Sequence, residues 1–502
     1  MDMRRIPFVG RLLPAAGAGQ APVRADPENY TVHEVCASIE QLIETMVSAR
    51  KKHVGWQRQN ILSLHDQDDF SAPLIRRLTE HYLALPPYAS SVSSSLLATI
   101  HGYWEEMSEI HLQCASYLLG HPESKLNAML PLLTQRALYH HAMQMKWLWL
   151  CYQVIPAYFW ARLHRLYAIA ERHEFARVPM PLPGRQHADT SCETLYLRPQ
   201  MLHSLRPDTM PPREIEQVDE WIARWSKSVL LERTLVSEKH RYGVNLKTGN
   251  PPRPLAMLNE PGSYRYWGTG LMLAAMHAEH ESKGEDESDD WRQVLWRKVV
   301  NDWSGIPPMR QHPRQIIGKQ SELFLGFGEI HGRIDRKMSR RPQDLPHLQH
   351  CRVRDEGAEG VGIALNTSDG VAVAINSLIG IDVDQHFLVG VVCRIRRHES
   401  GWTEIGIRRL AGNATPVKLE SVGSDPLSGV QTVNALYLSM TGPFGRRRCV
   451  LVPASFCRSG GQWRLLSRGQ RHLIRLRAPR KSNQDYVLAD FDGLVEPETI
   501  SK

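Results

Sequence analysis

The chain has 502 residues, of which 42% are hydrophobic and 23% charged, a balance that excludes a wholly disordered or fibrous protein. This length suffices for about two to four domains with sizeable cores. The eight cysteines form no CxxC pair and no dense cluster, which argues against a disulfide scaffold and indicates reduced thiols in a cytoplasmic protein. The formal net charge of +8 favours anionic partners.

Residues 1–28 are rich in Gly, Ala and Pro and are predicted to form a disordered tail. Arg11 interrupts their apolar stretch, so a cleaved secretion signal is not expected. Residues 29–232 carry apolar side chains at helical spacing, which predicts an all-α bundle or solenoid. Within them, Trp147–Ala161 is shorter than the roughly 20 residues of a membrane span and contains Pro156, so we expect a buried helix.

Residues 233–304 are predicted to be an α/β connecting region with an acidic surface loop, ESKGEDESDD. From residue 305 onward the apolar period changes to two, in short runs bounded by turn residues. These runs predict an antiparallel β-barrel over 305–415 and a basic β-rich extension or second barrel over 426–495. The expected fold class is therefore α+β multidomain, with an N-terminal helical region followed by β-barrels.

Two short motifs flank the first predicted strand, SELFLGFGEIH. Arg310 and Arg314 form an RxxxR pair just before it, and the segment DEGAEG after it supplies Asp355, Gly357 and Gly360. A hairpin follows, VGVVCRIRRHESGWTEIGIRRL, with a glycine near the middle of each strand. Either motif alone is weak in a chain rich in arginine, but their order around one strand is much more specific.

This order resembles the PilZ family, in which RxxxR and DxSxxG motifs bind cyclic di-GMP. The resemblance covers residues 305–415 and implies a clamp by the two arginines, a guanine edge read by the aspartate, and close ligand approach at the two glycines. Such roles are chemically reasonable because arginine pairs phosphate and grips guanine O6 and N7. Carboxylates accept hydrogen bonds from guanine N–H groups, and glycine adds no Cβ.

The chain departs from the family pattern in two places. Gly357 stands where the family has serine, and the segment RIDRKMSRRPQDLPHLQH is inserted after the first strand. The insertion contains a second RxxxR pair, Arg336 and Arg340, with no strand following at the expected place. Two alternatives stay open: a pocket of altered affinity, or a degenerate PilZ barrel kept as a scaffold for protein interaction.

A strongly basic segment lies farther along the chain. Between Pro426 and Gln484 there are eleven Arg and Lys and no Asp or Glu, which favours an anionic partner. Its densest charge run is a set of possible additional anion contacts, Arg446, Arg447 and Arg448. An alternative function is therefore a nucleic-acid-binding adaptor, although the few nearby aromatic residues give little support for base stacking: Phe444, Phe456 and Trp463.

No metal site, cofactor or catalytic residue is expected. The chain contains no HExxH, GxSxG or Walker motif, and the adjacent His140 and His141 point apart on a helix. We therefore expect a non-enzymatic cyclic di-GMP receptor of bacterial signalling, without a membrane span. The helical domain is expected to contact a protein partner and to receive the signal.

Overall fold

The computed structural model describes residues 30–51, 56–85, 90–283, 290–305, 313–339, 349–366, 373–383, 386–411, 414–422, 431–442, 445–456, 461–467, 469–482 and 485–494. They fall into two compact units that divide near residue 307, apart from the short segment Asp208–Met210, which belongs to the second. The first is mainly helical and the second consists of antiparallel barrels, so the predicted α+β multidomain class is confirmed.

The first unit, here the helical unit, contains nine α-helices among its described residues. They are α1 (Val32–Lys51), α2 (Arg58–Ala84), α3 (Ser90–Gly120), α4 (Leu130–Leu150), α5 (Ala157–Arg172), α6 (Cys192–Ser204), α7 (Pro212–Trp225), α8 (Gly270–Lys283) and α9 (Asp290–Ser304). Two small antiparallel sheets join them. One pairs β1 (Met180–Leu182) with β2 (Arg185–Thr190), and the other consists of β3 (Tyr242–Asn245), β4 (Arg253–Pro254) and β5 (Tyr264–Trp267).

Helix α4 forms the centre of this unit, where α3, α5 and α6 pack against it. Eighteen of its 21 residues are buried, including polar ones such as Arg136, His140 and Lys146. Because burial extends around the whole helix, an apolar stripe cannot describe it, and its polar groups require partners inside the protein.

The apolar stretch Trp147–Ala161 is not the single buried helix that its sequence suggested. Helix α4 ends at Leu150, Tyr152 adopts a left-handed conformation with φ 59°, and Pro156 immediately precedes α5. Proline cannot donate the backbone hydrogen bond that a continuous helix would require, so the stretch is divided between two helices. No helix among the described residues is long and apolar enough to cross a membrane.

The second unit, here the barrel unit, contains two closed six-stranded antiparallel barrels. The first barrel comprises β6 (Gln315–Leu325), β7 (Gln349–Gly357), β8 (Gly360–Asn366), β9 (Leu378–Val383), β10 (His386–Arg397) and β11 (Trp402–Ala411), in the order β10-β11-β8-β7-β6-β9. The second barrel comprises β12 (Ala414–Ser421), β13 (Thr432–Gly442), β14 (Gly445–Pro453), β15 (Gln462–Ser467), β16 (Gln470–Ser482) and β17 (Tyr486–Gly493).

A helix follows the first strand of the first barrel directly. The run SELFLGFGEIH was expected to be one strand, but β6 ends at Leu325 and α10 (Gly326–Ser339) begins at Gly326, whose φ is +74°. The Leu325 N–H donates to the Glu329 carboxylate at 2.8 Å, which satisfies a backbone donor at the helix start. The positive φ of Gly326 and this hydrogen bond therefore end the strand and begin a helix, although the alternation of apolar residues continues.

Helix α10 and strands of both barrels share one hydrophobic core. Ile330 and Ile334 of α10 pack with residues of the first barrel such as Val389 and Leu410. The same cluster includes six buried side chains of β13, β14 and β17, namely Leu436, Leu438, Cys449, Leu451, Tyr486 and Leu488. Burial of this shared apolar surface joins the two barrels into one unit.

Candidate functional site

Arg314 and Asp355, 41 residues apart in the chain, form an ion pair on the first barrel. Strand β6 begins directly after Arg314 and pairs with β7 so that Ile316 lies opposite Asp355. Both side chains are 25% exposed, so each remains accessible to a molecule in solution. The structure thus brings together two of the residues that the PilZ resemblance selected.

One row of cross-strand neighbours extends from Asp355 to Arg394. Asp355 pairs with Gly362 on β8, Gly362 with Gly406 on β11, and Gly406 with Arg394 on β10. The two central positions carry no side chain, and a Cβ at Gly362 would lie 2.9 Å from both carboxylate oxygens of Asp355. The carboxylate therefore folds over a glycine.

A second row on the same face contains more glycine. Gly357 pairs with Gly360, which pairs with Arg408 two residues beyond Gly406. Because side chains alternate along a strand, these positions share the face of the first row. We call the four glycines Gly357, Gly360, Gly362 and Gly406 the glycine floor. The side chains of Arg314, Asp355 and Arg394 cover three of these glycines, so a flat ligand reaches the backbone only where those side chains move aside.

Cationic side chains lie at the edge of the glycine floor. Burial is the main cause that lowers the pKa of Arg394, and the positive charges of Arg396 and Arg314 lower it further. Burial raises the pKa of the Cys393 thiol, while Arg408, Arg394 and Arg314 oppose that rise. Arg396 and Arg314 thus repel Arg394 while Asp208 and Glu404 attract it, and an anion near Arg314 and Arg394 would relieve the repulsion between these two.

A β-bulge in β10 helps to position Arg394 and the Cys393 thiol. The register shifts between Val392 and Arg394, so Cys393 is an extra residue in the strand. Similar shifts occur in β7 beside Asp355 and in β6 beyond Ile316. Such bulges redirect side chains and recur next to binding sites.

The remaining predicted site residues have distinct positions. Arg310 lies outside the described residues. A Cβ at Gly357 would lie 3.3 Å from Cγ of Arg314, so this glycine contacts the stem of the arginine. A Cβ at Gly360 would lie 2.1 Å from the carbonyl oxygen of Ile407, so the close approach at this position is between strands β8 and β11.

The arginine run of the second barrel lies on β14, next to β13. Arg447 pairs with Met440 and Arg448 with Ser439, and Arg448 is exposed, whereas the side chain of Arg446 lies outside the described residues. The aromatic residues considered for base stacking are not on a surface: Phe456 and Trp463 are buried against each other with ring centroids 4.6 Å apart. Phe444 lies outside the described residues.

A cleft of about 590 Å³ opens in the helical unit and carries a different charge pattern. Four glutamates and two arginines line it, and these carboxylates are mostly paired; Glu171, for example, bonds Arg265, with Nε–Oε1 at 2.7 Å. Glu193 bonds Arg177 at 3.0 Å. Both arginines of the wall, Arg177 and Arg233, are paired with glutamates, so a dianion would have to displace a carboxylate from each of them.

The adjacent histidines of α4 point in different directions, as expected for helical neighbours. His140 Nε2 lies 3.0 Å from Asp68 Oδ2, whereas His141 Nε2 lies 2.9 Å from the Phe159 carbonyl oxygen. A third residue, His111, joins Asp68 and His140 in a buried group whose polar atoms lie within 4.8 Å of one another. Sequence spacing concealed this group because its members come from three helices.

Residues 30–235 match the family model described as the N-terminal domain of the cyclic-di-GMP receptor FimW. This match covers less than half of the chain. The matched residues lie in the helical region and not in the first barrel, where the sequence predicted a resemblance to PilZ. No curated protein and no solved structure matches the chain.

Arg394 and Arg408 were not selected from the sequence, although a signal for them existed. Both belong to the hairpin whose central glycines were noted, and Arg408 follows Gly406 by two residues, which places them on one face of a strand. What the sequence could not reveal is the register that aligns Gly406 with Gly362, because that register depends on pairing between distant strands.

Proposed function

We propose that this protein is a non-enzymatic cyclic di-GMP receptor whose ligand binds on the glycine floor of the first barrel. The observation that carries the proposal is the pairing of Arg314 with Asp355 beside this floor, with Arg394 and Arg408 at its edge. The family match in the helical region supports the same ligand. Its description names the N-terminal domain of a receptor and leaves the dinucleotide site open.

Electrostatics favour the barrel over the helical unit for a ligand with two phosphates. Arg314, Arg394 and Arg408 all act on the Cys393 thiol, and an anion there relieves the repulsion between Arg314 and Arg394. Bidentate arginine contacts to phosphate are also geometrically specific. The cleft of the helical unit is lined by more glutamates than arginines and lacks this advantage.

When the ligand binds, each member of the Arg314–Asp355 ion pair can exchange its present partner for one group of the ligand. A phosphate replaces the carboxylate as the partner of Arg314, and guanine N–H donors replace the guanidinium as the partner of Asp355. Because neither charge is left unpaired, the exchange avoids the large cost of a desolvated, uncompensated ion. A partly exposed pair is weak in water, so breaking it costs little.

The position of the site suggests how binding is transmitted within the barrel unit. Arg314 immediately precedes β6, and β6 leads into α10, whose side chains pack against both barrels. Arg408 also lies close enough to oppose the burial that raises the pKa of Tyr486, on β17, to about 12. Binding that moves Arg314 and Arg408 therefore acts on the shared core, and we propose that the second barrel, the helical domain or a protein partner receives the signal.

Calorimetric titration of cyclic di-GMP into the full chain tests the proposal. We expect saturable binding by the wild type and a loss of about 10- to 100-fold in Arg314→Ala, since a hydrogen bond to a charged group contributes roughly 1.5–3 kcal/mol. Arg477→Ala is the matched control. It removes the same charge from the second barrel, where Arg477 pairs with Asp492, and should leave the affinity unchanged.

The result that contradicts the proposal is absence of binding by the folded wild type. Equal losses in Arg314→Ala and Arg477→Ala would indicate a general charge effect rather than the site on the first barrel. Binding that survives Arg314→Ala unchanged would place the ligand elsewhere in the receptor.

A second candidate function is nucleic-acid binding by the second barrel. Its strands β13, β14 and β17 pack against the shared core, while β12, β15 and β16 carry exposed basic side chains: Lys418, Arg464, Arg471 and Arg475. Such a face binds phosphate backbones with strong salt dependence. The burial of Phe456 and Trp463 weighs against base stacking. Salt-dependent RNA binding that Arg471→Glu abolishes, in a chain that does not bind cyclic di-GMP, would favour this alternative.

A further inference from the structure

Three helices of the helical unit contribute to one buried polar group. Asp68 comes from α2, His111 from α3 and His140 from α4, and each of these residues is fully buried. One oxygen or nitrogen atom of each lies within 4.8 Å of the others. His65 stacks on His111, with ring centroids 6.0 Å apart and planes inclined by 8°. This group is independent of the barrel site proposed above.

The hydrogen bonds fix the protonation of His111. Its Nδ1 lies 2.8 Å from the Met107 carbonyl oxygen, which can only accept, so Nδ1 carries the proton. In the neutral ring, Nε2 then presents a lone pair toward Asp68 and has no hydrogen-bond partner. A histidine whose second nitrogen donates to a backbone carbonyl is the usual arrangement of a metal ligand.

Further buried polar atoms of the group also lack a hydrogen-bond partner. They are Asp68 Oδ1, His140 Nδ1 and His65 Nε2. Unsatisfied polar atoms in a protein interior are costly, and several together in one place indicate that something else binds there. A metal ion can satisfy the lone pair of His111 Nε2, which has no hydrogen-bond partner, whereas Asp68 Oδ1, His140 Nδ1 and His65 Nε2 would lie outside its coordination sphere.

We propose that Asp68, His111 and His140 bind a divalent transition metal of the zinc type. Two imidazoles and one carboxylate are ligands that zinc accepts, with a fourth position left for water. Tetrahedral bonds of about 2.0–2.1 Å place neighbouring ligand atoms about 3.3 Å apart. Asp68 Oδ2 lies 3.0 Å from His140 Nε2 and 3.7 Å from His111 Nε2, which brackets that spacing.

Arg136 is the positively charged neighbour with which such a metal must coexist. Its Nη1 donates to Asp68 Oδ2 at 2.9 Å, and its Nη2 to Asp69 Oδ1 at 3.0 Å. Asp68 and Asp69 together outweigh the guanidinium by one negative charge, so a divalent ion leaves a net charge of +1. On metal binding, the neutral ring of His140 carries its proton on Nδ1, and Nε2 becomes a ligand. Arg136 then orients the carboxylate from outside the coordination sphere.

Cobalt titration of the full chain, after chelation and dialysis, tests this site. We expect about one equivalent of Co²⁺ per chain with the visible absorption of a tetrahedral ion, displaced by Zn²⁺. The combined His111→Gln and His140→Gln variant should lose this equivalent. The matched control is His141→Gln, which alters the neighbouring histidine that bonds the Phe159 carbonyl instead.

A thiolate variant keeps the test decisive if loss of two ligands prevents folding. His140→Cys retains a donor at the site and should add a sulfur-to-cobalt charge-transfer band in the near ultraviolet. A folded wild type that takes up no Co²⁺ overturns the proposal and leaves ordered water as the occupant. Uptake that is unchanged in the glutamine variant, or a folded cysteine variant without the new band, overturns it equally.

Discussion

The two units use the same pair of side chains in opposite ways. In the helical unit, Arg136 pairs with Asp68 where their side chains are 4% and 0% exposed. In the barrel unit, Arg314 pairs with Asp355 where both are 25% exposed. Water solvates the second pair but not the first, so the chemistry is alike while the cost of separating the charges differs.

This difference indicates which pair can exchange its partners for the groups of a dinucleotide. Neither member of a buried pair can change partners without a large desolvation cost, so the first pair defines structure and orients its neighbours. A partly exposed pair contributes little to stability and can exchange its partners for those of a ligand. The position of an ion pair relative to solvent, more than its residue types, therefore determines whether the pair can exchange its partners with a dissolved dinucleotide.

The largest expected effect is on the free energy of unfolding, when the arginine of each ion pair is replaced by alanine. Arg136→Ala leaves the Asp68 carboxylate buried without its cation and should lower the free energy of unfolding by about 3–5 kcal/mol. Arg314→Ala should lower it by less than about 1 kcal/mol. Denaturant unfolding of the full chain, followed by probes in each unit, measures both values. Equal losses would contradict the comparison.

A buried histidine of the helical unit, His164, makes the stability of this unit depend on pH. Burial lowers the pKa of His164 to about 4. Its Nε2 donates to the Asn250 carbonyl at 2.9 Å, so Nδ1 accepts from the Tyr196 hydroxyl at 2.9 Å. Between pH 6.5 and 4 the unfolded chain binds the proton and the folded chain does not, so stability falls as pH falls.

The size of this pH effect can be measured with a matched pair of variants. From pH 6.5 to 5 the wild type should lose about 2 kcal/mol of unfolding free energy because of His164. His164→Gln should remove that part of the slope, whereas His121→Gln, at an exposed position, should retain it. An unchanged slope in His164→Gln would show that this imidazole does not titrate as described.

A smaller effect is expected at the edge of the glycine floor. Arg394→Gln removes one of the cations near Arg314 and should weaken cyclic di-GMP binding by about tenfold, or roughly 1.4 kcal/mol. The effect on unfolding should be slight, because burial and the charges of Arg396 and Arg314 disfavour this cation while Asp208 and Glu404 favour it. Calorimetry with Arg448→Gln as control distinguishes this site from the general charge of the barrel unit. Equal losses in the two variants would exclude a specific role.

The smallest effect concerns the position where the PilZ pattern has serine. A Cβ at Gly357 lies 3.3 Å from Cγ of Arg314, a contact that a small movement of the long arginine stem relieves. The added hydroxyl of Gly357→Ser can then donate to a phosphate and should raise affinity about two- to tenfold. The neighbouring exposed residue provides the control, Ala358→Ser, which should change nothing. A loss of affinity would mean that glycine is required beside Arg314.

Much of the barrel site followed from local sequence patterns. The change from helical to strand periodicity near residue 305 predicted the β-rich half, and the order of Arg314, a strand and Asp355 selected two residues that prove to be in contact. The boundary between strand and helix at Gly326 was missed, because alternating apolar residues continue across it. A positive φ and the Glu329 cap decide that point, and apolar alternation reports neither.

The sequence by itself determined the fold class, the basic character of the C-terminal barrels and the residue types suited to an anionic ligand, because periodicity and charge are local properties. Only the tertiary structure aligned Asp355, Gly362, Gly406 and Arg394 in one row, since strand register arises from pairing between segments far apart in the chain. It alone also enclosed Asp68 with Arg136 and left Asp355 with Arg314 at the surface. Access to solvent distinguishes these two pairs, and only packing determines it.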